Sequence, residues 1–134
     1  MIEDRAAIET DVVTQLSRQS VAGTVAKLTG MISAKGMRLF AVIDQAAEAR
    51  QAGLALRETT LVIFGSPEAG TPVMAVSPLA ALDLPLKVLI WADGDQTRLS
   101  YTPPSTLAAR YDLGEELTSR LAGIDKLTDK AIDR

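Results

Sequence analysis

The most apolar run of the chain extends from Leu84 to Trp91, and it contains a single charged residue, Lys87. Residues 86–92, which overlap this run, predict a buried β-strand. An unpaired ammonium group is costly to bury, so Lys87 needs either an acidic partner or a path to water. The run therefore predicts a core strand that meets charge or solvent at one position.

Two missing residue types exclude most familiar catalytic sites. The 134 residues include no histidine and no cysteine. This excludes Ser-His-Asp hydrolysis, imidazole acid–base catalysis, thiol chemistry, disulfides and nearly all zinc or copper sites. The carboxylates do not have the spacing of an EF-hand loop, so we expect no metal and no other cofactor.

Charge and hydropathy limit the kinds of partner. The formal net charge is -3, and the basic residues form no stripe that would suit a phosphate backbone, so we expect no nucleic-acid partner. The first residues, 1–5, are acidic where a signal peptide would be basic. Uncharged stretches fall short of the roughly 20 apolar residues that a membrane span needs. We expect a cytoplasmic protein that does not bind membranes.

The hydrophobic pattern predicts five strands separated by helices of unequal length. Apolar and β-branched residues predict strands at 11–17, 37–43, 59–64, 86–92 and 97–102. Caps and helical spacing predict a helix from Ser20 to Gly36, a short one at 45–52, and two short pieces that begin at Thr71-Pro72 and Ser77-Pro78. A turn of helix through Arg110 and a final helix at 115–132 follow.

These elements predict one α+β domain over residues 1–134, with a core at about 11–130. Residues 1–9 are expected to be a frayed tail or a short helix. The sheet should be mixed or antiparallel in a two-layer sandwich. The helix after the first strand is long enough to connect parallel strands.

Three stretches resemble the bacterial family called domain of unknown function 302. They are Ile43-Asp44 before an Ala-rich helix, Ile63-Phe64-Gly65-Ser66-Pro67 with Gly70-Thr71-Pro72, and Ala81-Leu82-Asp83-Leu84-Pro85-Leu86-Lys87. Tyr101 and the segment 107–111 fit as well, so the resemblance covers residues 11–130. It implies a TBP-like fold with helices on one face of the sheet, and a homodimer. It implies no activity.

The chain departs from that family's pattern at three positions. Gln45 and Tyr111 stand where histidine is common, and Ser66 stands where the family has asparagine. An imidazole-based active site, if the family had one, would be lost in this chain.

Four residues are candidates for ligand binding: Gly65, Ser66, Asp83 and Lys87. Lys87 shares a strand face with Leu89 and Trp91. A desolvated Lys87 would hold an anion or form a Schiff base with a carbonyl substrate. Alternatively, it lies near the strand end, extends to water and pairs with Asp83, which needs no function to explain it.

The segment Gly65-Ser66-Pro67 also has two interpretations. Its backbone N–H groups and the Ser66 hydroxyl would form a nest for a phosphate or carboxylate. Otherwise it is a tight turn in which glycine supplies a positive φ and proline ends the strand. No Walker pattern is present, which favours the turn.

The sequence therefore predicts a non-catalytic dimeric module that binds a small anion or a protein partner. One alternative is a metal-free enzyme that uses Lys87, with Asp83 and Ser66, on a carbonyl or acyl substrate. A third hypothesis is a purely structural partner domain, which no feature of the sequence separates from the first. No residue is predicted to be catalytic under the first hypothesis. The reaction, pathway and partner identity are not encoded in any recognisable motif.

Overall fold

The computed structural model describes residues 11–132, and its five strands form one antiparallel sheet in the order β1-β5-β4-β3-β2. This confirms the predicted α+β class and decides between the mixed and antiparallel alternatives. The expected tail at 1–9 lies outside the described residues. The strands are β1 (Val13–Ser17), β2 (Arg38–Asp44), β3 (Thr59–Gly65), β4 (Leu86–Asp93) and β5 (Gln96–Tyr101).

Six α-helices and one 3-10 helix connect or follow the strands in this part of the chain. They are α1 (Val21–Ala34), α2 (Gln45–Gln51), α3 (Pro67–Val76), the 3-10 helix (Pro78–Leu82), α4 (Pro104–Tyr111), α5 (Glu115–Arg120) and α6 (Gly123–Ile132).

Helix α1 begins and ends where its caps predict. The Ser20 hydroxyl accepts a hydrogen bond from the Gly23 amide at 3.0 Å, and Gly36 adopts a φ of 73° just after the helix. Its residues Val21, Thr24, Leu28 and Ile32 are buried at helical spacing. Helix α1 therefore lies with one face on the sheet.

The connection through α1 joins the two edges of the sheet. Every neighbouring pair of strands is antiparallel, so β1 and β2 point the same way from opposite edges. The expected crossover between strands of the same direction is present, but these strands are not neighbours. No parallel ladder forms among the described strands.

The helices of residues 11–132 cover one face of the sheet and leave the other uncovered. On the covered face, alternate strand residues pack against α1 and α6 in the main core, which includes Leu28, Ile32, Val62, Phe64, Val88, Ile90, Leu99, Ile124 and Leu127. The other face, here called the outer face, carries Ile43, Leu61, Ile63, Lys87, Leu89 and Trp91, all of them half-buried. The expectation of helices on one face is confirmed.

The helix after β3 starts earlier than predicted. Helix α3 begins at Pro67, and Pro72 lies inside it instead of opening a new helix. A helix can start where a serine or threonine is followed by a proline in the first turn. Both Ser66-Pro67 and Thr71-Pro72 offer this combination, and the helix starts at the earlier pair. The second predicted start is confirmed, because the 3-10 helix begins at Pro78 after Ser77.

The final helix was predicted as one piece and is two. Helix α5 ends at Arg120, and α6 begins at Gly123. Leu121 packs in a second apolar cluster with Val73, Ala80 and Leu107, whereas Ile124 packs in the main core. The break lets both side chains reach their own cluster, and Gly123 is a weak helix former at the junction.

Candidate functional site

The predicted segment Gly65-Ser66 joins β3 to α3. Gly65 is the last residue of β3 and Ser66 precedes α3 with a φ of -123°. The glycines with positive φ in the described chain are Gly36, Gly53 and Gly94, so the expected positive φ at Gly65 is wrong. The segment also lacks the left-handed residue that a backbone nest requires. It is a strand-to-helix junction.

Ser66 opens onto an apolar cavity of about 290 Å³ at one end of the covered face. Phe64, Leu86 and Ile124, which belong to or pack against the main core, form its deep part. Residues from β2, α3 and the α5–α6 junction complete its walls. These wall residues include Phe40, Ala69, Gly70, Thr71, Met74 and Arg120.

Arg120 is the one charged residue among the described residues that line this cavity. It is the last residue of α5, so the helix break places it at the rim. Its Nη2 lies 3.6 Å from Oε1 of Glu116, and the two side chains are 41% and 83% exposed. An ion pair this long and this exposed contributes little to stability, so the guanidinium can exchange partners at low cost.

Two hydroxyl groups that line the cavity have no hydrogen-bond partner among residues 11–132. Ser66 makes no capping hydrogen bond to α3, although it occupies the capping position. Thr71 likewise forms no hydrogen bond within the described chain. With Arg120 they are the polar side chains along a mostly apolar wall.

Asp83 lies in a different cluster, with α4. Its Oδ2 accepts a hydrogen bond from Nη1 of Arg110 at 2.7 Å and another from the hydroxyl of Tyr111. Burial raises the pKa of Asp83, but the hydrogen bonds from Tyr111 and Arg110, together with the charges of Arg110 and Lys87, outweigh it and hold the pKa below 3.8. Asp83 is therefore a charged anchor for α4.

Lys87 is the second residue of β4, and its side chain lies on the outer face of the sheet. Its ammonium donates a long hydrogen bond, 3.4 Å, to the carbonyl of Pro85, and its charge acts on Asp83 without an ion pair within 4.0 Å. The space beside Lys87 and Asp83 is about 30 Å³, room for about one water molecule. A keto acid or an aldehyde does not fit in that space.

The four predicted site residues therefore occupy two places. Ser66 lines the large cavity, and Gly65 packs beside it, where an added Cβ would lie 3.5 Å from Cβ of Pro85. Asp83 and Lys87 share the small space near α4. Asp83 takes Arg110 as its ion-pair partner, not Lys87.

Sequence reasoning missed Arg120, Phe40 and Met74 as cavity residues. No motif marks them, because they come from distant segments and meet only in three dimensions. A signal for Arg120 did exist in the Ala122-Gly123 pair beside it, since glycine weakens a helix and a break there exposes the preceding residue.

Residues 11–132 contain no group of three or more acidic residues placed to hold a metal ion. No helix in this region has the length and apolar character to cross a membrane.

Comparison with known proteins gives one family match. The model described as "Domain of unknown function DUF302" matches residues 13–133. The protein "Fluoride-specific ion channel FluC 1" of Brucella suis biovar 1 (strain 1330) is 40% identical over 108 residues, which is 80% of this chain and 42% of that protein. Its namesake in Brucella abortus biovar 1 (strain 9-941) is also 40% identical over 108 residues, 40% of its length. The chain thus spans about two fifths of these relatives.

A solved structure has the same fold. The "uncharacterized conserved protein DUF302" from Bacillus stearothermophilus superposes with a TM-score of 0.76 over 92% of this chain and 96% of that one. The two sequences are 16% identical, so this likeness concerns the fold.

Proposed function

Since the chain belongs to the family described as Domain of unknown function DUF302, a description that assigns no activity, we propose its function from the geometry of its own residues. It is a non-catalytic module that binds a small molecule in the apolar cavity beside Ser66. The observation that carries this proposal is the cavity itself, which has a volume of about 290 Å³ and lies against the main core. Ligand sites in proteins are typically concave, mostly apolar and equipped with a few polar groups.

The same geometry favours binding over the Schiff-base alternative. Lys87 lies beside a space for about one water molecule, and the carboxylate of Asp83 is engaged by Arg110 and Tyr111. Ser66 lines the other cavity, so it is not placed to assist Lys87. A carbonyl substrate would need room and partners that these residues do not offer.

A neutral apolar fluorophore, 1-aminoanthracene, tests occupancy of the cavity. We expect its emission to rise on binding to the wild-type chain. Ala69→Trp, which fills the cavity from α3, should abolish the rise. Ala75→Trp is the matched control, because Ala75 is exposed on the same helix and does not line the cavity. Equal binding by both variants, each folded by circular dichroism, would remove the proposal.

If Ala69→Trp does not fold, Gly70→Leu takes its place. Gly70 lines the cavity with an ordinary φ, and a Cβ there would meet only the end of the Met74 side chain, at 3.9 Å. Leucine at this position should fill part of the cavity and weaken probe binding. Unchanged binding in that variant would count against the proposed site.

We also propose that the outer face packs against a second copy of the chain. Its five described strands, about 4.8 Å apart and about 3.3 Å per residue along the strand, give a face of about 550 Å². Two such faces bury about 1,100 Å², just above what a specific interface needs. The half-buried apolar residues of the outer face lie together on three neighbouring strands: Ile43, Leu61, Ile63, Leu89 and Trp91. An apolar patch that the described helices leave uncovered commonly marks an interaction surface.

Light scattering after size exclusion tests the homodimer. Leu89→Arg places a charge in the middle of the outer face and should yield a folded monomer. Leu79→Arg is the control, since Leu79 is 68% exposed on the 3-10 helix away from that face. A wild-type monomer at micromolar concentration would end the dimer proposal without affecting the cavity.

The relatives named as fluoride channels are matched over about two fifths of their length. We propose that the matched part of those proteins is the same kind of binding module. Fluoride itself is not the proposed ligand, because a small hydrated anion gains little in an apolar cavity with one cation at its rim.

A further inference from the structure

The described side chains that line the cavity are mostly apolar, and their one charge is positive. This lining combines deep apolar side chains with a single cation, Arg120, and the hydroxyls of Ser66 and Thr71. No acidic side chain is among the lining residues. A ligand that matches this arrangement has an apolar body and one anionic end.

The volume sets the size of the apolar body. A cavity of about 150 Å³ lined by apolar side chains holds a benzene molecule. The cavity here, about 290 Å³, holds a body about twice as large. A medium-length acyl chain or a two-ring aromatic group has that size.

The rim sets the head group. The fork of an arginine guanidinium matches the two oxygens of a carboxylate, and one arginine satisfies one carboxylate. Within residues 11–132, the ion-pair partner of the Arg120 guanidinium is Glu116, through a long and exposed contact. A ligand carboxylate can therefore replace Glu116 without leaving a buried charge unpaired.

Resting on the proposed binding function, we infer that this cavity binds a monocarboxylate with an apolar body of medium size, and that Arg120 exchanges Glu116 for the ligand's carboxylate. Arg120 selects the charge of the ligand, and the wall formed by Phe64, Leu86 and Ile124 selects its length.

Calorimetric titration of the wild-type chain with decanoate and with 1-decanol tests the head group. We expect decanoate to bind about tenfold more tightly than 1-decanol, because a charged hydrogen bond is worth that much when its partner is well placed. Arg120→Met should bring the ratio close to one, in a variant shown by circular dichroism to be folded. 2-Naphthoate against 2-naphthol, run in the same way, tells an aromatic body from an acyl chain.

Two variants serve as controls. Arg98→Met removes an arginine that also pairs with a carboxylate, Asp93, but projects from the opposite face of the sheet, and it should keep the tenfold preference. Glu116→Gln frees Arg120 and should preserve or raise decanoate affinity.

The outcomes separate the inference from the function beneath it. If 1-aminoanthracene binds but the acids and alcohols bind equally, the carboxylate inference is wrong and the cavity function stands. A preference that survives Arg120→Met also overturns the inference. If neither the probe nor any acid or alcohol binds the wild-type chain, the proposed function itself fails.

Discussion

Leu86 and Lys87 are consecutive residues of β4 that project from opposite faces of the sheet. Leu86 lines the cavity on the covered face, and Lys87 lies with Leu89 and Trp91 on the outer face. The two proposed surfaces, one for a small molecule and one for a second copy, are therefore separated by the thickness of the sheet. Substitutions on one face can be tested without altering the other.

Trp91 should report on the outer face and not on the cavity. It is the single tryptophan, half-buried on that face, and its indole N–H donates to the Ser100 hydroxyl at 3.0 Å. We expect its emission to shift to longer wavelength on dilution and in Leu89→Arg, because separating the two copies of the proposed dimer would expose the ring to water. Leu79→Arg should behave as wild type. A shift on adding decanoate at constant dimer content would contradict this separation of the faces.

Asp83→Asn should destabilise the protein in a pH-dependent way. The pKa of Asp83 is lowered in the folded state, so its stabilisation is present above the ordinary value of 3.8 and is lost as the pH falls through the folded value. At neutral pH we expect a loss of about 1 kcal/mol in the free energy of unfolding, discounted for partial exposure.

Urea titrations at several pH values measure this loss. The difference between wild type and Asp83→Asn should shrink as the pH falls below 3.8. Asp93→Asn is the control, because Asp93 pairs with Arg98 at a more exposed position and should cost less. A difference that stays constant through the acid range would show that Asp83 does not act through its charge.

Tyr101 should make the protein sensitive to alkali. Burial is the main cause that raises the pKa of Tyr101 from 10.0 to about 12. The second cause is the 2.5 Å hydrogen bond that its hydroxyl donates to Oδ1 of Asp125. A raised folded pKa contributes stability that is complete below pH 10 and is lost as the pH rises toward about 12. The free energy of unfolding should therefore fall across this window.

Absorbance of the phenolate gives a second measurement. The chain has two tyrosines, so Tyr101→Phe leaves Tyr111 as the remaining signal. Subtracting the variant's titration from that of the wild type should give an ionisation well above pH 10. An ionisation of Tyr101 near its ordinary value in the native protein would contradict the burial and the hydrogen bond.

Three glycines should respond differently to alanine. Gly30 is exposed within α1 with no heavy atom near an added Cβ, so Gly30→Ala should stabilise the protein by about 0.5–1 kcal/mol. Gly36 has a φ of 73°, and alanine there should cost about 1 kcal/mol. Gly65→Ala should change stability by less than about 1 kcal/mol, because its φ is ordinary and its neighbours leave room. Chemical denaturation measures all three. A large loss of stability in Gly65→Ala would favour the tight turn with a positive φ at Gly65.

Local elements could be predicted because a few residues determine them. Ser20 caps α1 by accepting a hydrogen bond from the Gly23 amide, and Asp44 caps α2 by accepting one from the Ala47 amide. Both residue types are common helix caps, so the sequence alone indicated both positions. Alternation along β4 likewise placed Lys87 with Leu89 and Trp91. These predictions needed only neighbours along the chain.

The helix break and the cavity could not be predicted in this way. Leu117, Leu121, Ile124 and Leu127 keep helical spacing through the break, so periodicity alone favours one helix. The break follows from two separate apolar clusters, and the second of them forms only when Val73 of α3 and Leu107 of α4 are in place. The cavity depends on the same long-range packing, and so does the position of Arg120.

The pairing of β1 with β5 has a consequence for how the chain folds. β2, β3, β4 and β5 follow one another across the sheet, but Val13 pairs with Tyr101, so β1 must find a partner from the far part of the sequence. Closing that long loop costs entropy before any contact repays it, which slows folding. We expect β1 to join last, and its substitutions to change the unfolding rate far more than the folding rate. Until it joins, the edge of β5 is open, and that is the stage at which newly made chains are most prone to aggregate.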